Sequence, residues 1–289
     1  MKRFLILISL VVLAGIAGIV RSHAGTSAEL RGLVSHSSSG EARQEIRQSY
    51  QLAPGAQVEL SNINGTIKIE TSDTKTADVF IERIGVSQEA LDRRKVSVEA
   101  DANGLRIRGE KGDVSFFARF FGSNPSERVT LKLPRQISLQ AKGVNGFVTV
   151  GELDGSVDVR GVNGRVQIAS VAGASEFKGI NGNIQIGLRQ LNNDGLNMSG
   201  INGNIELQLS DGLNADLDAH GMNGRVVSDL PDVAIDKNRH GTYSARIGNG
   251  GSAITAKGIN GNIRLTRSVA TPPSAEAVIT KEQTADSKQ

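Results

Sequence analysis

Three aspartates, Asp154, Asp194 and Asp211, each stand immediately before a glycine in a chain whose turn signals recur about every nine residues. Stacked in a repeat, they would form a column of carboxylates, and paired carboxylates can act as general acid and base. Asp before Gly is also what a tight turn selects, because the side chain bonds nearby backbone. The turn reading is preferred, and no catalytic residue is assigned. Histidine chemistry fares no better. His23, His36, His220 and His240 show neither His-x-x-x-His nor His-Glu-x-x-His spacing, so no zinc site is expected. The segment Asp236-Lys237-Asn238 is too short for a calcium loop, and no Gly-x-Gly-x-x-Gly leads a strand into a helix. The absence of Cys excludes disulfides, thiolate zinc sites and thiol catalysis together. Two Tyr and no Trp argue against a carbohydrate-stacking cleft. No metal, no cofactor and no enzymatic activity are expected.

The remaining chemistry is that of amides. The pattern Gly-(Val/Ile/Met)-Asn-Gly occurs six times, with corners at Asn145-Gly146, Asn163-Gly164, Asn181-Gly182, Asn202-Gly203, Asn223-Gly224 and Asn260-Gly261. A looser copy reads Asn62-Ile63-Asn64-Gly65. Successive Asn residues from Asn145 lie 18, 18, 21, 21 and 37 apart, so one unit is doubled or interrupted. A period near 20 residues marks a stacked repeat, in which a single unit cannot bury its own apolar face. Stacked at the strand spacing of about 4.8 Å, such side chains can build an amide ladder. Gly supplies the positive φ of a tight corner, and the Gly before each apolar residue is expected to keep the inner corner free of a Cβ.

The elements that must hold these corners are strands. Apolar residues alternate on both sides of each corner: Val157 and Val159 before Asn163, Val166 and Ile168 after it. Asn-Gly is also a hairpin signal, so an antiparallel meander competes. In a hairpin, Val144, Val162, Ile180, Ile201, Met222 and Ile259 would all face water, forfeiting roughly 1.5 to 3 kcal/mol each. A solenoid corner swings them inward. The expected fold is therefore all-β, a single-domain β-solenoid resembling a parallel β-helix, with about 18–21 residues per coil and two short strands in each. Residues 136–267 form the regular array. Residues 48–135 form an irregular β half that caps it, with strands near 58–60, 67–69, 79–81, 96–98, 105–107 and 129–133. Residues 25–47 read as a flexible linker, and 268–289 as a disordered tail.

Two outward columns flank the corners. Lys142, Arg160, Lys178, Ser199, His220 and Lys257 form one; Gln140, Asp158, Glu176, Asn197, Asp218 and Thr255 form the other. A solvated face with weak lateral ion pairs is the preferred reading. The alternative is a flat polar surface for glycans or another envelope protein. Four of the eight Phe, namely Phe116, Phe117, Phe120 and Phe121, crowd one insertion. That loop either closes the end of the core or offers an apolar patch to a partner.

Lys2 and Arg3, an uncharged apolar run over residues 4–20, and Ser22-His23-Ala24 before Gly25 resemble a secretory signal. Cleavage over residues 1–24 is preferred, with retention as an inner-membrane anchor the alternative; only then would the chain touch a membrane. Ile16 stands where a lipid-bearing Cys would be needed, which excludes a lipid anchor. Lys2, Arg3 and Arg21 are three of the 33 basic residues, so cleavage leaves 30 basic against 30 acidic side chains. That balance gives no case for nucleic acid. The mature protein is expected in the periplasm or at the cell surface.

The repeats 178–184 (Lys-Gly-Ile-Asn-Gly-Asn-Ile) and 257–263, of the same sequence, resemble the Val-Asn-Gly-Asp/Asn-Ile repeats of the bacterial "putative adhesin" family, domain of unknown function 4097. Residues 248–263 resemble that family's closing repeat, and 58–69 and 129–134 its first half, so the likeness spans about residues 48–266. It implies a β-solenoid akin to GIN-domain adhesin heads and supplies no catalytic residues. The implied function is an exported, non-enzymatic envelope scaffold that binds an unidentified envelope protein or surface glycan. The alternatives are an envelope-stress regulatory or protein-interaction module, and a polysaccharide-acting β-helix enzyme.

Overall fold

A computed structural model describes residues 33–36, 41–111, 124–238 and 241–268. Residues 1–24, read as a signal, residues 269–289 of the tail and the loop with Phe116, Phe117, Phe120 and Phe121 lie outside the described residues. In chain order the first half holds β1 (Leu33–His36), β2 (Ala42–Gln51), β3 (Gln57–Ser61), β4 (Gly65–Ser72) and β5 (Thr76–Gly85). A short helix α1 (Gln88–Asp92) follows, then β6 (Arg94–Asp101), β7 (Gly104–Lys111) and β8 (Ser126–Pro134). Ser87 caps α1, its hydroxyl accepting from the Ala90 N–H. The helix was not expected from the sequence.

The array proper begins with β9 (Ser138–Lys142) and β10 (Val148–Leu153), then β11 (Val157–Arg160) and β12 (Val166–Val171). The next two coils are β13 (Ser175–Lys178) with β14 (Ile184–Leu188), and β15 (Leu196–Asn202) with β16 (Ile205–Leu209). After these come β17 (Ala215–His220), β18 (Val226–Ser228), β19 (Ile235–Asn238), β20 (Thr242–Ile247), β21 (Ser252–Asn260) and β22 (Ile263–Arg267). Each coil contributes one strand before its Asn-Gly corner to one sheet and one strand after it to the other. Among the described residues each sheet has eleven strands.

Within the array the strands run parallel and in register. Val148, Val166, Ile184, Ile205 and Ile263 stand side by side in one sheet, and Leu139, Val157, Ser175, Leu196 and Ile254 in the other. Like residues thereby stack on like, and the inner faces of both sheets share one apolar core. The residues that decided against a meander are inside: Val144, Val162, Ile180, Ile201 and Ile259 are each 1% exposed, and Met222 is buried as well. The β-solenoid with two strands per coil stands.

The spatial order departs from the chain order at the C-terminal end. β21 lies between β15 and β17, and β22 between β16 and β18. The last repeat is thus inserted between its two predecessors. The 37-residue interval is no doubled coil: β19 and β20 form a hairpin whose β20 pairs antiparallel with β17, turning the chain back to deliver the final repeat inward.

At the other end the coil of β3 and β4, with its looser corner, stacks on the coil of β9 and β10. Beyond it β8 runs parallel to β4 but antiparallel to β5, and β7 runs parallel to β3 but antiparallel to β6. The switch to antiparallel pairing closes the array. β2 pairs with β5 over ten residues from Ala42, so residues 42–47, read as linker, are strand. Their polar, Ser-rich neighbourhood concealed a segment that the long pairing with β5 holds extended.

Candidate binding face along the asparagine corner

All seven corner asparagines form one ladder. Asn145 Nδ2 donates to Asn64 Oδ1 at 3.0 Å, Asn163 to Asn145 at 3.2 Å, Asn181 to Asn163 at 3.2 Å and Asn202 to Asn181 at 3.1 Å. It continues through Asn260 to Asn202 at 2.9 Å and Asn223 to Asn260 at 2.9 Å, following the spatial order of the coils. Backbone pairing runs along the same corner, with the Gly164 N–H donating to Asn181 O and the Asn163 N–H to Val144 O.

The two glycines of a corner have different tasks, as Gly161 and Gly164 illustrate. Gly161 has φ +63°, and a Cβ there would come no nearer than 3.7 Å to the next coil. Its requirement is the left-handed backbone alone. The looser copy confirms this, since Asn62 takes the equivalent position with φ 55°. At Gly164 a Cβ would stand 1.9 Å from Gly146 O. The glycine that leaves room for its neighbour is therefore the one after Asn, which corrects the expectation placed on the first.

The ladder ends on a buried ion cluster. Glu127 is 0% exposed; its Oε2 accepts from the Asn64 N–H at 2.8 Å and its Oε1 from Arg94 Nε at 2.7 Å. The neighbouring Arg83 donates to Leu91 O at 2.6 Å and also to Arg94 O and Gln44 Oε1. Burial pulls the Arg83 guanidinium below its ordinary pKa, and Glu127 opposes that shift. The cluster supplies acceptors where the stack has no further coil.

Immediately after each Asn-Gly from Asn145 onward stands a second outward column: Phe147, Arg165, Asn183, Asn204, Asn262 and Arg225, in spatial order. Here the amides point their oxygens along the stack. The Asn204 N–H donates to Asn183 Oδ1 at 3.0 Å, the Asn262 N–H to Asn204 Oδ1 at 3.0 Å and the Arg225 N–H to Asn262 Oδ1 at 3.1 Å. Oδ1 is occupied in both Asn183 and Asn204, and Nδ2 of each has no hydrogen-bond partner among the described residues. A groove of about 530 Å³ runs over this column and the adjoining Gln185, Glu206 and Arg264. Arg165 and Arg225 stand at its two ends, and neither guanidinium has an ion pair among the described residues. Arg264 is held by Asp229 at 2.7 Å and faces Glu206 in register; the hydrogen bond to Asp229 raises its pKa. Val227 lines the end near Arg225, and Phe147, 56% exposed, lies one coil beyond Arg165. These residues escaped the sequence reading because their position varies in type; its signal was its constant place after Asn-Gly.

The columns foreseen on the other sheet are present, in the order Lys142, Arg160, Lys178, Ser199, Lys257, His220. Arg160 bonds Asp158 and Glu176, each at 2.6 Å, and its pKa is raised chiefly by the hydrogen bond to Asp158. Gln140 donates to Asp158 at 2.8 Å. The arrangement is a polar, partly exposed face of mixed charge, in which Arg160 is the ion-paired cation among the described residues of the two columns.

The three turn aspartates do not form a column. Asp154 takes the position held by Ala172, Arg189 and Ser210 in the following coils and pairs with Arg189. Asp194 bonds within its own turn, its N–H donating to Asn192 Oδ1 at 3.2 Å. Asp211 lies 3.5 Å from Arg267. The extra residues of the 21-residue coils move the turn Asp out of register, so the expected stacking fails.

The chain is similar to a "putative cell adhesion protein" of Clostridium sporogenes, at 13% identity and a TM-score of 0.41, over 77% of this chain and 99% of that one. It is similar also to "putative adhesins" of Bacteroides fragilis (11% identity, TM-score 0.32, 76% of this chain and 96% of that one) and of Parabacteroides merdae (11%, 0.30, 77% and 96%). No protein-family model matches the chain, and no curated protein matches it. At such scores these likenesses say nothing of ligand or activity, and the functional reading rests on the residues above.

Proposed function

We propose that the chain is an exported, non-enzymatic scaffold of the bacterial envelope, an adhesin-like protein that presents a rigid β surface to an envelope partner or surface glycan. The observation that carries this reading is the corner ladder. Seven side-chain amides bonded in series fix the corner, and the polar residues beside it are held at strand spacing and face outward. Such a surface is pre-organised, so little ordering cost attends binding. The turn aspartates, engaged in separate local contacts, favour binding over hydrolysis.

Two measurements test the reading. N-terminal sequencing of the protein from fractionated cells should find Gly25 first, in the envelope fraction; a cytoplasmic protein retaining Met1 would contradict export. Incubation with envelope glycans should give retention without turnover. Glycan cleavage that vanishes on replacing Asp154 or Asp194 would refute the non-enzymatic claim.

A further inference from the structure

We infer that the groove between Arg165 and Arg225 binds an acidic polysaccharide in which charged sugars are separated by neutral ones. This deepens the scaffold reading and rests on it. The centre of the groove offers hydrogen-bond donors. Asn183 and Asn204 line it and each spend their Oδ1 on a backbone N–H of the next coil, which leaves Nδ2 as the group each can offer a ligand. A row of fixed donors selects a ligand rich in acceptors, such as hydroxyl, acetamido and carboxylate oxygens.

The charges give the spacing. Arg165 and Arg225 stand four strand steps apart, roughly 19 Å, and neither guanidinium is compensated among the described residues. Between them Glu206 faces Arg264, which Asp229 already holds, so the middle of the groove keeps the negative charge of Glu206. A ligand with an anion at every unit, such as polyphosphate, would crowd several charges against Glu206, where carboxylates on alternate sugars bring no more than one. One with carboxylates further apart meets a guanidinium at each end and amides between, where the planar fork of Arg matches a carboxylate. Phe147, exposed in line with the groove beyond Arg165, offers a ring on which the apolar face of a further sugar can lie. On the opposite face the acids Asp158 and Glu176, both paired with Arg160, stand between Lys142 and Lys178.

The test is equilibrium binding of the mature chain to hyaluronan oligosaccharides, whose uronic acids alternate with neutral N-acetylated sugars. Chitin oligosaccharides of equal length and inorganic polyphosphate serve as comparisons. Hyaluronan should bind in preference to both, and more weakly as salt rises. The double variant Arg165→Ala with Arg225→Ala should weaken binding about tenfold or more with an unchanged melting temperature, since both side chains are exposed. Phe147→Ser should weaken it less, and Lys142→Ala with Lys257→Ala, the same charge removed from the other face, should leave it unchanged. Equal loss from both double variants, or tighter binding of polyphosphate, would overturn the inference by showing a response to charge alone. If hyaluronan does not bind while an envelope protein is captured on another face, the groove assignment falls and the scaffold reading survives. If nothing from the envelope is retained, both fall.

Discussion

Each corner is decided by a few atoms, and substitutions should separate their tasks. Gly164→Ala drives a Cβ into Gly146 O at 1.9 Å, a backbone obstacle that cannot swing away. It should destabilise the fold by about 3 kcal/mol or more. Gly161→Asn should cost less than about 1 kcal/mol, because Asn tolerates the left-handed backbone and Asn62 already adopts it in the first corner. Denaturant unfolding of the two variants checks the contrast; equal losses would refute the division of labour. Ile180→Asp places a carboxylate at a site 1% exposed and should cost about 4 kcal/mol or more, measured in the same way. The inward set was legible in the sequence because only burial reconciles a row of aliphatics with a turn motif. The outward donors at Asn183 and Asn204 were not legible, since their role follows from which amide atom the neighbouring coil consumes.

At the scale of elements, the array is finished differently at its two ends. At the first corner the chain switches to antiparallel pairing and buries Glu127 against Arg94 and the Asn64 N–H. Glu127→Ala would strand a guanidinium and a backbone donor in the interior, and should cost about 3–5 kcal/mol. Thermal unfolding with and without the substitution measures it, and a change near zero would mean that the cluster does not hold the cap. At the far end the β19–β20 hairpin sends the last repeat back inside the stack. Repeat spacing registered the interruption at 37 residues but could not place the insertion. Every coil carries the same corner, so Asn260 and Asn223 are equally suited to follow Asn202, and only the hairpin's return path chooses between them. β2 was hidden for a related reason: its polar alternation gains meaning only from β5 beside it.

For the whole molecule, everything proposed of its surface depends on one arrangement, a parallel in-register stack with the final repeat wedged between its two predecessors. The row Asn204, Asn262, Arg225 exists only in that order. Because the chain contains no Cys, engineered pairs can report the order with no background. Ser199 and Lys257 are direct neighbours in register, and so are Lys257 and His220; adjacent strands bring their Cα atoms to about 5 Å, within disulfide range. Ser199 and His220 stand two strands apart, at roughly 9.6 Å, beyond it. Mild oxidation of three double variants, read by mass spectrometry, is therefore the most direct measurement. Ser199→Cys with Lys257→Cys and Lys257→Cys with His220→Cys should close readily, and Ser199→Cys with His220→Cys should remain reduced. Closure of the Ser199–His220 pair, with Ser199–Lys257 left open, would mean that the coils stack in chain order and would contradict the account.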